Sequence, residues 1–208
     1  MPRTGLLMPG GEAGRPGWHR RAVAIESPNH DARPAKSPVD LLVIHYISLP
    51  PGRFGGDAIE RLFTNRLDCA ADPAFAELDG LRVSSHFLIR RRGELVQFVG
   101  CDARAWHAGV SQFQGRNRCN DFSIGVELEG DGEHAFTQAQ YRRLARLVGW
   151  LCERYPLRFV AGHSDIAPDR KFDPGPRFDW RAFVKSIEFS GLVRPFPATR
   201  RANARAPG

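Results

Sequence analysis

The chain has 208 residues, of which 42% are hydrophobic and 25% are charged. This length and composition are typical of one globular domain and leave little room for a second. The net charge of +7 comes from the ends, since residues 1–21 contribute +3 and residues 190–208 contribute +4, so the body between them is formally neutral. Nucleic-acid-binding domains concentrate positive charge on a folded face. The distribution therefore argues against nucleic acid as a partner.

Composition divides the chain into three segments. Residues 1–17 are rich in Gly, Pro and Arg and have no apolar period, which predicts a disordered N-terminal extension. Residues 18–188 have the pattern of one folded domain. Residues 189–208 predict a flexible basic C-terminal tail.

Cysteine usage and hydropathy predict the compartment. The four cysteines, which include no C-x-x-C pair, are Cys69, Cys101, Cys119 and Cys152. Their spacing indicates free thiols in a reducing environment. The N-terminal residues lack the apolar core of an export signal, and no apolar run approaches the length of a membrane span. We therefore expect a cytoplasmic protein without stable membrane association.

The first buried strand is predicted at residues 39–46, a nearly continuous apolar run with β-branched residues. His45 lies near its end. A histidine there is either a core residue bonded to backbone or a residue of a functional site, and the pattern leaves both interpretations open. Farther along, Asp57 is placed to cap a helix that extends to about Leu67 with one apolar face.

The middle of the chain predicts a hairpin, a loop and a strand. Residues 85–90 and 94–99 flank a turn and predict the hairpin. Residues 105–121 are irregular and aromatic, which favours a binding loop. Residues 123–129 alternate as a strand does, with the apolar face directed to a core helix. Glu127 therefore lies on the opposite face, where we expect a cleft.

The most regular helix begins at Thr137, which forms a capping-box pattern with Gln140, and extends to about Arg154. A short strand at residues 157–163 follows and ends at His163. Asp179 is placed to cap a last helix at residues 180–187.

Between that strand and the last helix, residues 162–176 contain three prolines that exclude a continued helix or a central strand. We expect a fixed loop without regular helix. His163, Lys171 and Asp173 would project from it, and such loops often carry chemistry.

The order of elements predicts an α/β fold with a mixed central sheet of about five or six strands and helices packed around it. Strand ends converge on one rim in such a fold, which would bring His45, His163 and Asp173 together. Two imidazoles and a carboxylate are the ligand set of a catalytic zinc site with one position left for water. His86 and His107 are weaker candidates for a further ligand, because each lies inside the hairpin or the binding loop.

A hydrolytic zinc site also needs a proton acceptor and a cation. Glu127 would take the proton from water, and Lys171, two residues from Asp173, would stabilise an oxyanion. The alternative is that Glu127 is a solvated strand carboxylate and Lys171 its surface partner.

Five separated blocks carry a resemblance to a known family. They are VIHYISLPPGRFGG, SSHFLIRRRGELVQFV, AWHAG, FQGRNRCNDFSIGVELEG and GHSDIAPDRKFDPGPRFDW. Together they resemble the AmpD-type 1,6-anhydro-N-acetylmuramoyl-L-alanine amidases of bacterial peptidoglycan recycling, over about residues 18–187. The resemblance implies the mixed-sheet fold shared with peptidoglycan recognition proteins. It also implies an anhydromuropeptide substrate, cut between the lactyl group of anhydromuramic acid and L-alanine.

By the same resemblance, one Zn²⁺ per chain is held by His45, His163 and Asp173. Glu127 is then the proton acceptor, and Lys171 stabilises the transition state.

Substrate contacts are implied less directly. Arg118 matches a position that the family uses to hold the substrate, and a guanidinium suits a peptide carboxylate. Arg82 and Trp106 are further candidates, for which a surface arginine and a packing tryptophan are the alternatives. Tyr46 is a departure, because the family commonly has asparagine after the strand histidine, and a phenol there would reshape the pocket.

Two other functions remain open. One is a muropeptide-binding protein without catalysis, which would usually have lost a ligand, whereas all three are present here. The other is an amidase acting on intact cell wall, for which we would expect a signal peptide or a lipidation cysteine. The sequence does not indicate an oligomeric state.

Overall fold

The structure is a computed structural model that describes residues 15–197. The strands within this range are β1 Val23–Ala24, β2 His30–Ala32, β3 Leu41–Ile47, β4 Phe87–Ile89, β5 Leu95–Gln97, β6 Ala103–Ala105, β7 Gln112–Phe113, β8 Arg116–Asn117, β9 Ser123–Glu129 and β10 Phe159–Gly162. Six of them form the central sheet in the order β1-β5-β4-β9-β3-β10, while β2 pairs with β6 and β7 with β8. The β4–β5 hairpin is antiparallel and the other pairs of the sheet are parallel. The predicted mixed sheet is confirmed.

The helices surround this sheet. Within the same range the α-helices are α1 Ala58–Phe63, α2 Gln138–Cys152, α3 His163–Ile166 and α4 Trp180–Ser186, and the 3₁₀-helices are Pro73–Leu78, Cys119–Asp121 and Glu188–Ser190. The predicted capping box opens α2, since the Thr137 hydroxyl accepts from the Gln140 N–H at 3.2 Å and the Gln140 side chain accepts from the Thr137 N–H at 3.0 Å. Helix α1 ends before the predicted Leu67, because Asn65 takes a left-handed φ of 58°.

The single turn α3 corrects the expectation that residues 162–176 contain no helix. It starts directly after β10, where the Asp165 carboxylate accepts a hydrogen bond from the Gly162 N–H at 2.8 Å. Pro168 lies two residues beyond its end and prevents further turns. The prolines therefore limit the helix to one turn rather than exclude it.

The two longest strands lie side by side and are buried on both faces. On one face, Ile44 and Val126 belong to the core that packs against α2. On the other face, the parallel register pairs Val43 with Gly125 and His45 with Glu127. This second face is where the sheet meets the irregular loops.

Both ends of the described range lie against the domain. The Gly17 carbonyl accepts a hydrogen bond from the Cys101 N–H at 3.0 Å. In residues 189–197, part of the predicted flexible tail, Val193 lies alongside β10, where its carbonyl accepts from the Val160 N–H at 3.0 Å, and Leu192 is buried. Residues 1–14 and 198–208 lie outside the described residues, so the predicted three-segment division stays a prediction.

Two expectations, that the cysteines are free thiols and that no segment spans a membrane, can be compared with the structure. The four cysteines are free thiols, as expected. Within residues 15–197, no helix has the length and apolar character needed to cross a bilayer.

Candidate active site

His45, His163 and Asp173 meet at one end of the sheet. His45 is on β3, His163 is the first residue of α3, and Asp173 lies on the loop that follows. The His45 Nδ1 and His163 Nδ1 atoms are 3.0 Å apart, and they lie 2.9 Å and 3.2 Å from Asp173 Oδ2. These three residues form a cluster able to hold a metal ion, their ligand atoms lying within 4.8 Å of one another. The structure therefore brings together the predicted set.

The electrostatics of the cluster fit a divalent cation. Burial and the neighbouring His163 lower the pKa of His45 to about 4. Burial alone raises the pKa of Asp173, but the adjacent His163 and His45 outweigh it and hold that pKa well below its usual range. At neutral pH, His45 is therefore neutral and Asp173 ionised, which are the forms that bind metals. Such acceptor atoms at this spacing repel one another unless a cation or a proton lies between them.

The outward-facing nitrogens of the two imidazoles have different partners. His163 Nε2 lies 3.2 Å from the carbonyl of Ala108, so it carries a hydrogen and leaves Nδ1 free to bind a metal. His45 Nε2 lies 3.0 Å from Nδ1 of His107. His107 and His86, the weaker ligand candidates, thus lie outside the metal-binding cluster formed by the described residues.

Glu127 lies beside the cluster and is buried, with 8% of its surface exposed. Its Oε2 atom has no hydrogen-bond partner among the described residues. Burial, and secondarily Asp173, raise the pKa of Glu127 well above its usual range, while Lys171 opposes the shift. A solvated strand carboxylate would show neither feature. The alternative interpretation of Glu127 is therefore wrong.

Lys171 lies on the loop side of the cluster and lines the same cleft. Its backbone N–H donates to the Ala167 carbonyl at 3.0 Å, which holds this part of the loop close to α3. Among the described residues, its ammonium forms no ion pair. A cation placed there remains available to a ligand in the cleft.

The cleft above the cluster has a volume of about 420 Å³. Its floor holds the metal-binding cluster and Glu127, and one wall is apolar. The wall residues are Leu49, Leu62, Phe63, Leu78, Leu81 and Val83. Sequence reasoning missed this wall, because the apolar stripe of α1 signals a buried face without indicating that the face borders a cleft.

The four predicted substrate contacts fall in two groups. Tyr46 and Trp106 line the cleft. Arg82 and Arg118 are exposed and do not line it. Arg118 has a left-handed φ of 61°, and its guanidinium lies 3.3 Å from Asp121. Substrate binding by all four residues stays a prediction.

Comparison with known proteins agrees with this geometry. The family described as N-acetylmuramoyl-L-alanine amidase matches residues 35–176. The chain is 57% identical to the 1,6-anhydro-N-acetylmuramyl-L-alanine amidase AmpD of Escherichia coli (strain K12) over 169 residues, which are 80% of this chain and 92% of that protein.

Solved structures give the same relationship. A crystal structure of an AmpD selenomethionine derivative superposes with a TM-score of 0.80 at 53% identity, covering 83% of this chain and 98% of that one. The amidase AmiD of E. coli, solved in complex with the substrate anhydro-N-acetylmuramic acid-L-Ala-D-gamma-Glu-L-Lys, has a TM-score of 0.53 at 31% identity and covers 74% of this chain and 60% of that one. The chain belongs to the N-acetylmuramoyl-L-alanine amidase family.

Proposed function

We propose that this protein is a zinc-dependent hydrolase that cleaves the amide between (1,6-anhydro-)N-acetylmuramic acid and L-alanine of muropeptides during cytoplasmic peptidoglycan recycling. The names of its relatives support the substrate, because they include 1,6-anhydro-N-acetylmuramyl-L-alanine amidases. The observation that carries the proposal is the convergence of two imidazole nitrogens and a carboxylate oxygen on the floor of a cleft, beside a buried glutamate whose Oε2 atom has no hydrogen-bond partner within residues 15–197.

His45, His163 and Asp173 are the proposed zinc ligands. Two nitrogens and one oxygen from the protein suit a catalytic rather than a structural zinc site, because three protein ligands would leave one position for water. When bound, zinc lowers the pKa of a coordinated water from about 15.7 to about 7. The protein contributes a neutral His45 and an ionised Asp173 at neutral pH, since the pKa of each lies below 7.

Glu127 is the proposed proton carrier. Its raised pKa suits a group that accepts a proton from the attacking water and then donates it to the leaving amine of L-alanine. The register that pairs Glu127 with His45 keeps this carboxylate beside the metal-binding cluster.

Lys171 is the proposed electrostatic partner of the transition state. Attack on the amide carbonyl places a negative charge on its oxygen, and an ammonium at the cleft edge stabilises that charge. An unpaired cation is suited to this role, because no competing carboxylate must first be displaced.

The substrate is proposed to extend from the cluster along the cleft. Trp106 and Tyr46 would contact it near the cleavage site, since both line the cleft. Arg118 and Arg82 would bind carboxylates of the stem peptide from the surrounding surface.

A direct test is to incubate purified protein with anhydromuropeptide, with and without a chelator, and to identify the products by mass. We expect anhydromuramic acid and the free peptide in the untreated sample only. Retention of intact substrate by the zinc-loaded protein would instead indicate a binding protein.

Two variants separate metal binding from catalysis. Glu127→Ala should keep zinc and lower hydrolysis by about 10²–10⁴-fold, whereas His163→Ala should lose both. Metal content by atomic spectroscopy distinguishes them. A Glu127→Ala protein of normal activity would rule out the assigned proton carrier.

A further inference from the structure

Next to His45, a row of buried polar groups leads from the floor of the cleft into the protein. His45 Nε2 lies 3.0 Å from His107 Nδ1, and His107 Nε2 lies 3.2 Å from the Ser123 hydroxyl. That hydroxyl lies 2.6 Å from the backbone carbonyl of Cys119. We call these four groups the His45 relay.

The hydrogens of the relay have one consistent arrangement. The Cys119 carbonyl can only accept, so a contact of 2.6 Å requires the Ser123 hydroxyl to donate to it. The same hydroxyl then accepts from His107 Nε2–H, which leaves His107 Nδ1 without a hydrogen. That nitrogen in turn accepts from His45 Nε2–H. The Nδ1 atom of His45, which faces His163 and Asp173, is therefore unprotonated.

The backbone makes room for this arrangement at Gly125. A Cβ atom on Gly125 would lie 2.5 Å from Cγ and 2.7 Å from Nδ1 of the His107 ring. His107 thus rests directly on the centre of the sheet, where only glycine leaves enough space. Its ring meets His45 edge-on, with ring centroids 5.1 Å apart.

His86 provides an internal comparison. It is fully buried, and its ring centroid lies 5.7 Å from that of His107. However, its Nδ1 accepts from the Gly125 N–H at 3.0 Å and its Nε2 lies 3.2 Å from the Ala103 carbonyl. His86 therefore matches His107 in burial and location but makes no hydrogen bond to His45.

We propose that His107 is a positioning residue, which acts through the relay to hold His45 in the tautomer and ring orientation that bind zinc. This inference rests on the zinc site of the proposed function. Hydrogen bonds from outside the ligand set typically change metal affinity by about 10–100-fold. His163 obtains the same tautomer from the backbone carbonyl of Ala108, so the side-chain relay of His45 is the support that substitution can remove.

The test compares the zinc affinity of full-length variants, measured by competition with a chromophoric chelator. In His107→Gln the side-chain amide falls near the former Nε2, so the acceptor for His45 is lost and zinc should bind about 10–100-fold more weakly. In His107→Asn the amide oxygen can occupy the former Nδ1 position and should restore much of the affinity. His86→Asn is the matched control, expected to retain wild-type affinity.

Unchanged zinc affinity in a folded His107→Gln protein would overturn the proposal, as would an equal loss in His86→Asn. If wild-type protein itself fails to bind zinc, the proposed function fails instead, so the two failures are distinguishable.

A second measurement does not depend on any variant folding. Long-range ¹H–¹⁵N spectra of wild-type, zinc-free protein report the tautomers of His45 and His107 directly. We expect a hydrogen on Nε2 of both rings. A hydrogen on Nδ1 of His107 would contradict the relay, whatever the affinities show.

Discussion

The two sides of the metal-binding cluster are built in different ways. On the strand side, His45 and Glu127 are paired by the register of two long parallel strands. On the loop side, His163 and Asp173 are joined by a short turn and an irregular segment, where the Ser164 N–H donates to the Asp173 carbonyl at 2.8 Å.

The two sides differ in the number of contacts that hold each residue of the site in place. A strand residue shares its placement with a whole ladder of backbone hydrogen bonds, so single side-chain changes should leave it in place unless they collide with the sheet. A loop residue depends on a few specific partners. Arg170 is one, because its guanidinium donates to the Val110 carbonyl at 2.9 Å and so joins this loop to the binding loop. We expect side-chain deletions to affect the loop side most.

The largest expected effect is at Arg194, which anchors the loop side from the C-terminal segment. Its Nη2 atom donates to both carboxylate oxygens of Asp165 in α3, at 2.8 Å and 3.1 Å, and both side chains are more than nine-tenths buried. Removing one partner of a buried pair costs about 3–5 kcal/mol. Urea unfolding of Arg194→Ala should show that loss.

The control for Arg194 is Arg154→Ala, because Arg154 pairs with Glu153 on the exposed surface. Exposed pairs contribute about 0–1 kcal/mol. Equal stability of the two variants would mean that the C-terminal segment does not secure α3.

The next effect is on rate rather than stability. Lys171→Ala should lower kcat by about 10²–10³-fold, because one stabilising donor of the transition state is lost. Zinc content should stay unchanged, as measured by atomic spectroscopy. Lys185→Ala, an exposed position on α4, should keep the wild-type rate. A wild-type rate for Lys171→Ala would rule out Lys171 as the group that stabilises the transition state.

On the strand side, a substitution should need to collide with the sheet before it lowers the free energy of unfolding. Gly125→Ala forces a methyl group against the His107 ring, and such overpacking costs about 1–3 kcal/mol. Chemical denaturation measures the loss. Gly149→Ala in α2 is the control, since its added methyl would lie no closer than 3.4 Å to Phe189 and alanine favours helix. Equal stability of both variants would show that the sheet or the His107 ring can shift to accept the added methyl group without loss of stability.

The smallest expected effect is on the pH dependence of folding stability, and it arises from His86, the buried histidine next to His107. Burial, and secondarily Arg33, lower the pKa of His86 well below its ordinary value of 6.5. The unfolded chain therefore binds a proton near pH 6 that the folded chain does not, so stability falls as pH decreases. His86→Asn should reduce this slope between pH 6 and pH 5 by about 1 kcal/mol per pH unit in zinc-free protein. An unchanged slope in urea titrations would mean that His86 is protonated in the fold.

Much of the fold was predictable because it depends on local patterns. The capping box at Thr137 and the apolar run of β3 each signal one element without knowledge of its neighbours. The single turn α3 was missed, because its cap involves Asp165 and Gly162 in a segment whose prolines dominate the pattern. The position of the first proline, Pro168, decides that one helical turn fits before it, whereas the number of prolines in the segment does not.

The candidate site, like the fold, was predictable from the sequence only in part. His45, His163 and Asp173 were recognisable as candidate zinc ligands from their chemical types and their places at or near strand ends. The burial of Glu127 was not, since an alternating strand has the same pattern whether its second face meets solvent or a packed loop.

The sequence by itself determined the longer strands and helices, the residue types of the metal-binding cluster and the family resemblance, because each is encoded in short stretches of chain. Only the tertiary structure decided that His107 contacts His45, that Arg194 pairs with Asp165 of α3, and that Arg82 and Arg118 do not line the cleft. These facts join residues distant in sequence. Their physical origin is the packing of loops on the second face of the sheet, which no local pattern specifies.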